Sequence, residues 1–180
     1  MESSKNWLKY TVGIVTCLLI RFIPFRPPNV EPILATMMPF SKKYGIFSGF
    51  LFSFTSIALY DIFSGKIGSW TFVTAGVYGA IGFAAGIYFK NRESTAWNYA
   101  KFAIVGTIVY DIMTGLTIGP IFFHQSFMTA LVGQIPFTTL HLIGNVGFAI
   151  IFSPLIYKFV IQNKKLEVGS IIKSFNTQQA

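Results

Sequence analysis

Charge is scarce in this sequence, and acid scarcest. Among 180 residues there are 6 Asp and Glu, and charged residues make up 11%. A soluble domain carries about a quarter, so a surface that faces water on all sides is excluded. Cysteine is nearly absent. Cys17 is the single one, inside the first apolar block, so an internal disulfide is excluded and a thiolate metal site would need other ligands. The histidines are His124 and His141, too few for a zinc or copper site at the polar layer they occupy. No metal is expected. No Ser-His-Asp set, HExxH or Walker lysine can be read from the chain. It is therefore not expected to be an enzyme, to need a cofactor, or to hydrolyse ATP by itself.

What is present is apolar. Hydrophobic residues make up 53% of the chain, and 20 Phe outnumber the 14 Lys and Arg. They come in long blocks rather than amphipathic stripes, the pattern of an integral membrane protein. The net charge of +8 sits in short segments between those blocks, which is how a polytopic protein fixes its orientation. Nucleic-acid binding is excluded, because no basic stripe is interleaved with exposed aromatics.

The expected fold is all-α, with about six transmembrane helices and a short re-entrant or surface helix. The first block, Trp7 to Ile23, is followed by no small-residue cleavage site and reads as a retained helix. "RFIPFRPPNVEP" carries four prolines and reads as an ordered loop or broken helix. "ILATMMPF" is a short second span. Clean spans follow over 44–63, 70–89 and 96–114. Residues 121–135, between Pro120 and Pro136, cover roughly 22 Å, short of a roughly 30 Å hydrocarbon core, and read as the re-entrant or surface helix. The last span runs from Phe137 to Val160. Residues 1–163 form the membrane domain, and 164–180 a polar cytoplasmic tail.

A six-span arrangement with the N-terminus inside puts eleven Lys and Arg in the cytoplasm and three outside, Arg21, Arg26 and Lys66. A five-span arrangement with the N-terminus outside scores the same, so the charges fix the last four spans and leave the first open. In both, Asp61 and Asp111 lie on the outer side.

Those two acids stand in a repeat, "IALYDIFSG" at 57–65 and "IVYDIMTG" at 108–115. Parallel repeats are a known transporter plan, but Asp with Ser and Gly is also ordinary turn chemistry at a water interface. Around the acids the spans carry a ring of polar groups at their outer ends: Arg21, Arg26, Asn29, Glu31, Trp70, Thr74, Tyr78, His124, Gln134, His141 and Asn145. Ionisable groups at this depth are costly unless paired or in a water-filled cavity. Two readings follow. Either Asp61 and Asp111 pair with Arg21 and Arg26, or these groups wall a cavity open to the outside. Trp70, Thr74 and Tyr78 at i, i+4, i+8, and His141 and Asn145 at i, i+4, share helix faces and would suit a flat polar small molecule. An interfacial aromatic belt accounts for Trp70 equally well. Small residues (Gly45 and Gly49, Gly82 and Gly86, Gly13 and Cys17) form faces for close helix packing or for docking another subunit.

The stretches "RFIPFRPPNVEPILATMMPFSKKYG", "YDIFSGKIGSWTFVTAGVYGAIG" and "GQIPFTTLHLIGN" resemble the substrate-binding S components of energy-coupling factor transporters. The shared features, over roughly residues 10–160, are a Pro-Asn-rich loop after the first helix, a Trp-Thr after the first Asp-containing turn, and a Pro-led final helix. The resemblance implies six helices with both termini cytoplasmic in the cell membrane, which breaks the charge tie. It implies a vitamin or related micronutrient bound near the outer surface. It also implies a membrane coupling subunit and two ABC ATPase subunits as partners. Arg26, Asn29 and Glu31 would cover the ligand; Tyr78, Asp111, His141 and Asn145 would line the site. An Ala-xxx-Ala docking motif on the first helix has Gly13 and Cys17 as its nearest counterpart. The competing reading is a non-transport membrane subunit of a cell-envelope complex, similar in size and hydropathy to the rod-shape-determining subunits, with no small-molecule ligand.

Overall fold

The computed structural model describes residues 6–25 and 31–170, and the regular elements among them are all helical. Seven α-helices follow in order: α1 (Trp7–Arg21), α2 (Ile33–Tyr44), α3 (Ile46–Phe63), α4 (Ser69–Phe89), α5 (Ala96–Gly115), α6 (Ile118–Phe123) and α7 (Phe127–Leu155). The last runs on into a π-helical segment, Ile156–Ile161. Four stretches are long and apolar enough to cross a membrane: Ile46–Phe63, Ser69–Phe89, Ala96–Phe123 and Phe127–Ile161. At 15 and 12 residues, α1 and α2 reach only about 22 and 18 Å.

The helices other than α6 alternate in direction, and side-chain contacts define the two ends of the bundle. At one end Lys9 donates from Nζ to the Ile161 carbonyl at 3.0 Å. Lys42 donates to the carbonyls of Phe89, at 3.3 Å, and Arg92. Each ammonium thereby meets carbonyls that a helix C-terminus leaves without intrahelical donors. At the other end the Arg21 guanidinium lies 3.7 Å from the Tyr60 ring centroid, and Trp70 meets Phe123. Of the fourteen Lys and Arg, Lys5, Arg26 and Lys173 fall outside the described residues. Of the remaining eleven, only Arg21 and Lys66 lie at the Arg21 end.

The short helix α2 is the hub. Ile33 through Ser41 are all buried, against α1, α3, α4, α5 and α7. Burial on every side explains why its sequence shows no polar face. Pro39 lies inside it and has no N–H for the carbonyl four residues back, that of Ala35. Ser153 of α7 supplies the missing donor, its Oγ 2.8 Å from that carbonyl. A neighbouring helix thus satisfies the backbone group that proline frees, the condition for proline inside a membrane bundle. On its other side Ser41 Oγ donates to Met37 O at 2.9 Å and lies 3.3 Å from Gly82 O.

Glycine sets the closest approach, between α3 and α4. A Cβ on Gly49 would stand 2.2 Å from the Gly82 carbonyl oxygen, and one on Gly82 would stand 2.1 Å from that of Gly49. Gly86 meets the Ile46 backbone in the same way. Gly45, read from the sequence as the partner of Gly49 on a packing face, has φ +88° and instead makes the bend between α2 and α3.

Two expected boundaries differ. The short helix is not 121–135 but α6, and the last helix begins at Phe127 rather than Phe137. Pro136 lies inside α7 without ending it. Ser126 caps the start, its Oγ accepting from Thr129 N at 3.2 Å, and α7 continues through Pro136 packed against α5.

Replacing Ser153 with Ala should leave the Ala35 carbonyl buried without a donor, a cost of about 1–3 kcal/mol. The melting temperature in detergent, followed by fluorescence-detected gel filtration, should drop; an unchanged value would show that the bond carries no weight. Gly82→Leu should abolish the monodisperse peak, whereas Gly76→Leu, which meets open space, should keep it. Equal behaviour of the two variants would refute the backbone contact.

Candidate functional site

The two copies of the repeat end their helices differently. After Asp61, α3 closes with Gly65 in the left-handed region at φ +67°. Lys66 N donates to Asp61 O at 2.9 Å and Gly65 N to Ile62 O at 3.2 Å, the paired bonds of a Schellman motif. The half-buried Asp61 carboxylate then accepts from Thr71 Oγ1 at 2.6 Å. The same Oγ1 accepts from Gly68 N at 3.1 Å. Asp61 therefore ties the α3–α4 turn to the first turn of α4, where the helix dipole favours an anion. The Trp-Thr that follows the first acid is explained here: Thr71 is the bridge. Trp70 turns to Phe123 and donates from Nε1 to Lys66 O at 3.2 Å.

In the second copy the helix runs through its glycine and ends there. Gly115 remains in α5, where a Cβ would stand 1.8 Å from Gln134 Oε1 of α7. Asp111 lies one turn deeper and is 1% exposed. It faces His141 of α7, 3% exposed, with Nδ1 to Oδ1 at 2.7 Å. One turn away Asn145 Nδ2 donates to Thr107 Oγ1 at 2.9 Å. Thr107 and Asp111 are spaced i, i+4 on α5; His141 and Asn145 are spaced i, i+4 on α7. Such positions stack on one face, so the helices share a two-rung polar ladder.

Aromatic rings close the ladder off. Tyr110 and Phe137 meet the His141 ring edge-on, at 5.9 and 5.6 Å between centroids. Tyr78 of α4 packs on Tyr110 at 4.7 Å. The Arg21–Glu31 ion pair, 3.2 Å, lies toward the same end of the bundle, with Arg21 over the Tyr60 ring.

The ladder is incomplete as a hydrogen-bonded unit. Among the described residues, Asp111 Oδ2, His141 Nε2 and Asn145 Oδ1 are buried without a hydrogen-bond partner, as are Arg21 Nε and Nη1. Two are carboxylate and amide oxygens, which only accept. His141 Nε2 accepts when the ring is neutral, with Nδ1 as the donor to Asp111, and donates when the ring is charged. The guanidinium atoms only donate. An arrangement of this kind can hold a polar molecule or ordered water; it offers no nucleophile paired with a base.

Several expected site residues therefore come together: Glu31, Tyr78, Asp111, His141 and Asn145. Others do not join the ladder. Thr74 donates to its own helix, to Trp70 O and Thr71 O. His124 is exposed at the left-handed end of α6, φ 53°. Arg26 and Asn29 lie outside the described residues. The expected pairing of the acids with Arg21 is not formed: Arg21 takes Glu31, Asp111 takes His141, and Asp61 takes Thr71. Gly13 and Cys17 face inward. A Cβ on Gly13 would meet Phe40 and Phe52 at 3.1 Å, and Cys17 is buried, so this face is filled by the chain itself. Sequence reasoning missed Thr107, Tyr110 and Thr71. The signal for Thr107 was its i, i+4 spacing from Asp111, matching that of His141 and Asn145. Among the described residues no three His, Cys, Asp or Glu side chains group as metal ligands would.

Asp111→Ala and His141→Ala should each destabilise the protein, by about 1–3 kcal/mol, because each strands the other's polar group. The double variant should cost less than the sum, with a coupling near the ~0.6 kcal/mol average for side-chain hydrogen bonds between membrane helices. Equilibrium unfolding of the four proteins in detergent reads this out, and strict additivity would show that the pair does not interact. No protein-family model matches this chain, and no curated protein or solved structure matches it.

Proposed function

We propose that this chain is the substrate-capture subunit of an energy-coupled membrane importer, binding a vitamin or related micronutrient at the Arg21 end of the bundle. The reading includes six spans in the cell membrane, both termini in the cytoplasm, and no catalytic step. It assigns the energy to partners, a membrane coupling subunit and two ABC ATPase subunits, because the chain carries no nucleotide motif of its own. One observation supports it above the others. Five polar atoms of Arg21, Asp111, His141 and Asn145, toward one end of the bundle, are buried without hydrogen-bond partners among the described residues. Each such atom costs about 1–3 kcal/mol when left unmatched. A helix bundle meant only to be stable gains nothing from keeping them, whereas a ligand with matching groups offsets the cost and is selected by it.

In this reading Asp61 holds the turn rather than the ligand. The coupling subunit does not use Gly13 and Cys17, which are covered. It meets the opposite face of α1, where Val12, Val15 and Leu19 are exposed.

The test is untargeted mass spectrometry of small molecules released by heat from protein purified in mild detergent, with the co-purifying proteins identified in parallel. Wild type and Asp61→Ala should release one compound in near-stoichiometric amount. Asp111→Asn, which keeps the side-chain shape, should release at least about tenfold less, the effect of losing one charged hydrogen bond of ~1.5–3 kcal/mol. ATPases should co-purify. Recovery of envelope-synthesis proteins, with no ATPase and no compound, would sink the importer and favour the structural subunit. The ladder would then be a packing device between α5 and α7.

A further inference from the structure

The opposite end of the bundle carries a second feature that substrate capture does not explain. A cleft of about 880 Å³ opens where α4 ends and α5 begins. Lys90, Arg92 and Lys101 line it, with no acid among its lining residues. Glu93, next along the chain from Arg92, does not line it. All three cations are exposed, and none is ion-paired among the described residues. Arg92 lies over the Tyr88 ring at 4.3 Å, which holds the guanidinium against the cleft wall. Lys42 adds a fourth positive charge behind them, already committed to the carbonyls of Phe89 and Arg92.

The remaining walls are apolar. Ile87 on α4 and Val105 on α5 are each 61% exposed, and both face the cleft, with Phe102 at its base. Both helices are among those long and apolar enough to cross a membrane. The cleft therefore begins among cations at the helix ends and continues as a greasy furrow along the outer surface of the bundle. A soluble anion would satisfy the first part and leave the second bare. A neutral lipid would satisfy the second and leave three cations without an anion, and a zwitterionic one would bring its phosphate together with a headgroup cation that the three cations repel.

We infer that this cleft binds an anionic glycerophospholipid, its phosphate among Lys90, Arg92 and Lys101 and an acyl chain along Ile87 and Val105. The end of the bundle agrees with that occupant, since cytoplasmic leaflets carry the anionic lipids and the basic residues gather here. The inference stands apart from the micronutrient reading and needs only that α4 and α5 lie in a bilayer.

Native mass spectrometry of the delipidated full-length protein, given equal phosphatidylglycerol and phosphatidylcholine, tests it. Wild type should retain phosphatidylglycerol preferentially. Each cation near a lipid surface is worth about fivefold, so the triple variant K90Q/R92Q/K101Q should lose on the order of a hundredfold of that preference. Val105→Trp, which fills the furrow without changing charge, should also reduce retention and covers the case in which the triple variant does not fold. Lys66→Gln, at the other end, should change nothing. Equal retention of the two lipids by wild type, unaltered preference in the triple variant, or undiminished retention by Val105→Trp would overturn the proposal. So would full displacement of the lipid by millimolar glycerol 3-phosphate, which would identify the site as one for soluble phosphate esters.

Discussion

The contact of two backbones, α3 with α4 at Gly49 and Gly82, decides where the other helices can go. Between helices in lipid there is no hydrophobic gain to draw them together, so association rests on close packing and on hydrogen bonds. Helices with ordinary side chains at the crossing stay about 8–10 Å apart. Here the carbonyl of each glycine stands where the other's Cβ would be. Because α4 comes in so close, its Gly82 carbonyl is within reach of Ser41 on α2. The space left beside the pair is narrow and deep, and α2 is the helix that fits it.

A helix in that position has no water to call on, and α2 shows what this demands. Its proline opens a gap in the ladder at Ala35, and a serine from α7, far along the chain, closes it. The same requirement shapes the ends. Lys9 is buried yet meets a carbonyl at the end of the π segment, and Lys42 meets two, one at the last residue of α4 and one just beyond it. Placing lysines there does two things at once: it satisfies orphan carbonyls and concentrates positive charge at one end of the bundle. The charge asymmetry legible in the sequence is therefore tied to how the helices terminate.

The tyrosine-aspartate repeat marks the limit of what local sequence reveals. Both copies carry Asp, an apolar pair, Ser or Thr, and Gly. Gly65 adopts a left-handed conformation because the chain must turn at once into α4. Gly115 stays helical because Gln134 of α7 needs the space where its side chain would be. Nothing inside the repeat distinguishes the two glycines; the residues that follow and the neighbour across the interface do. Legibility followed the same rule elsewhere. The apolar blocks gave α3, α4 and α5 almost to the residue, since length and hydropathy are local. Pro136 was misread as a boundary because the strength of the cap at Ser126 and the packing along α7 are not visible at the proline itself. His141 and Asn145 stood out as polar residues sharing a helix face, whereas Thr107, equally part of the ladder, looks like any threonine in a span. Arg21 was legible as a partner, but its acid was not, because nothing in the sequence spacing of Arg21 and Glu31 sets the contact between them.

The unmatched atoms at the Arg21 end constrain any occupant more tightly than the shape of the bundle does. Asp111 Oδ2 and Asn145 Oδ1 require donors, about one helical turn apart. Arg21 Nε and Nη1 require an acceptor, and His141 Nε2 takes either according to its charge. A simple anion would match Arg21 and be repelled by Asp111, and a simple cation would do the reverse. Under the importer reading proposed above, the complement is a molecule that carries donors on one part and an acceptor on another. A purely apolar molecule, however well it filled the space, would leave all five atoms as they are.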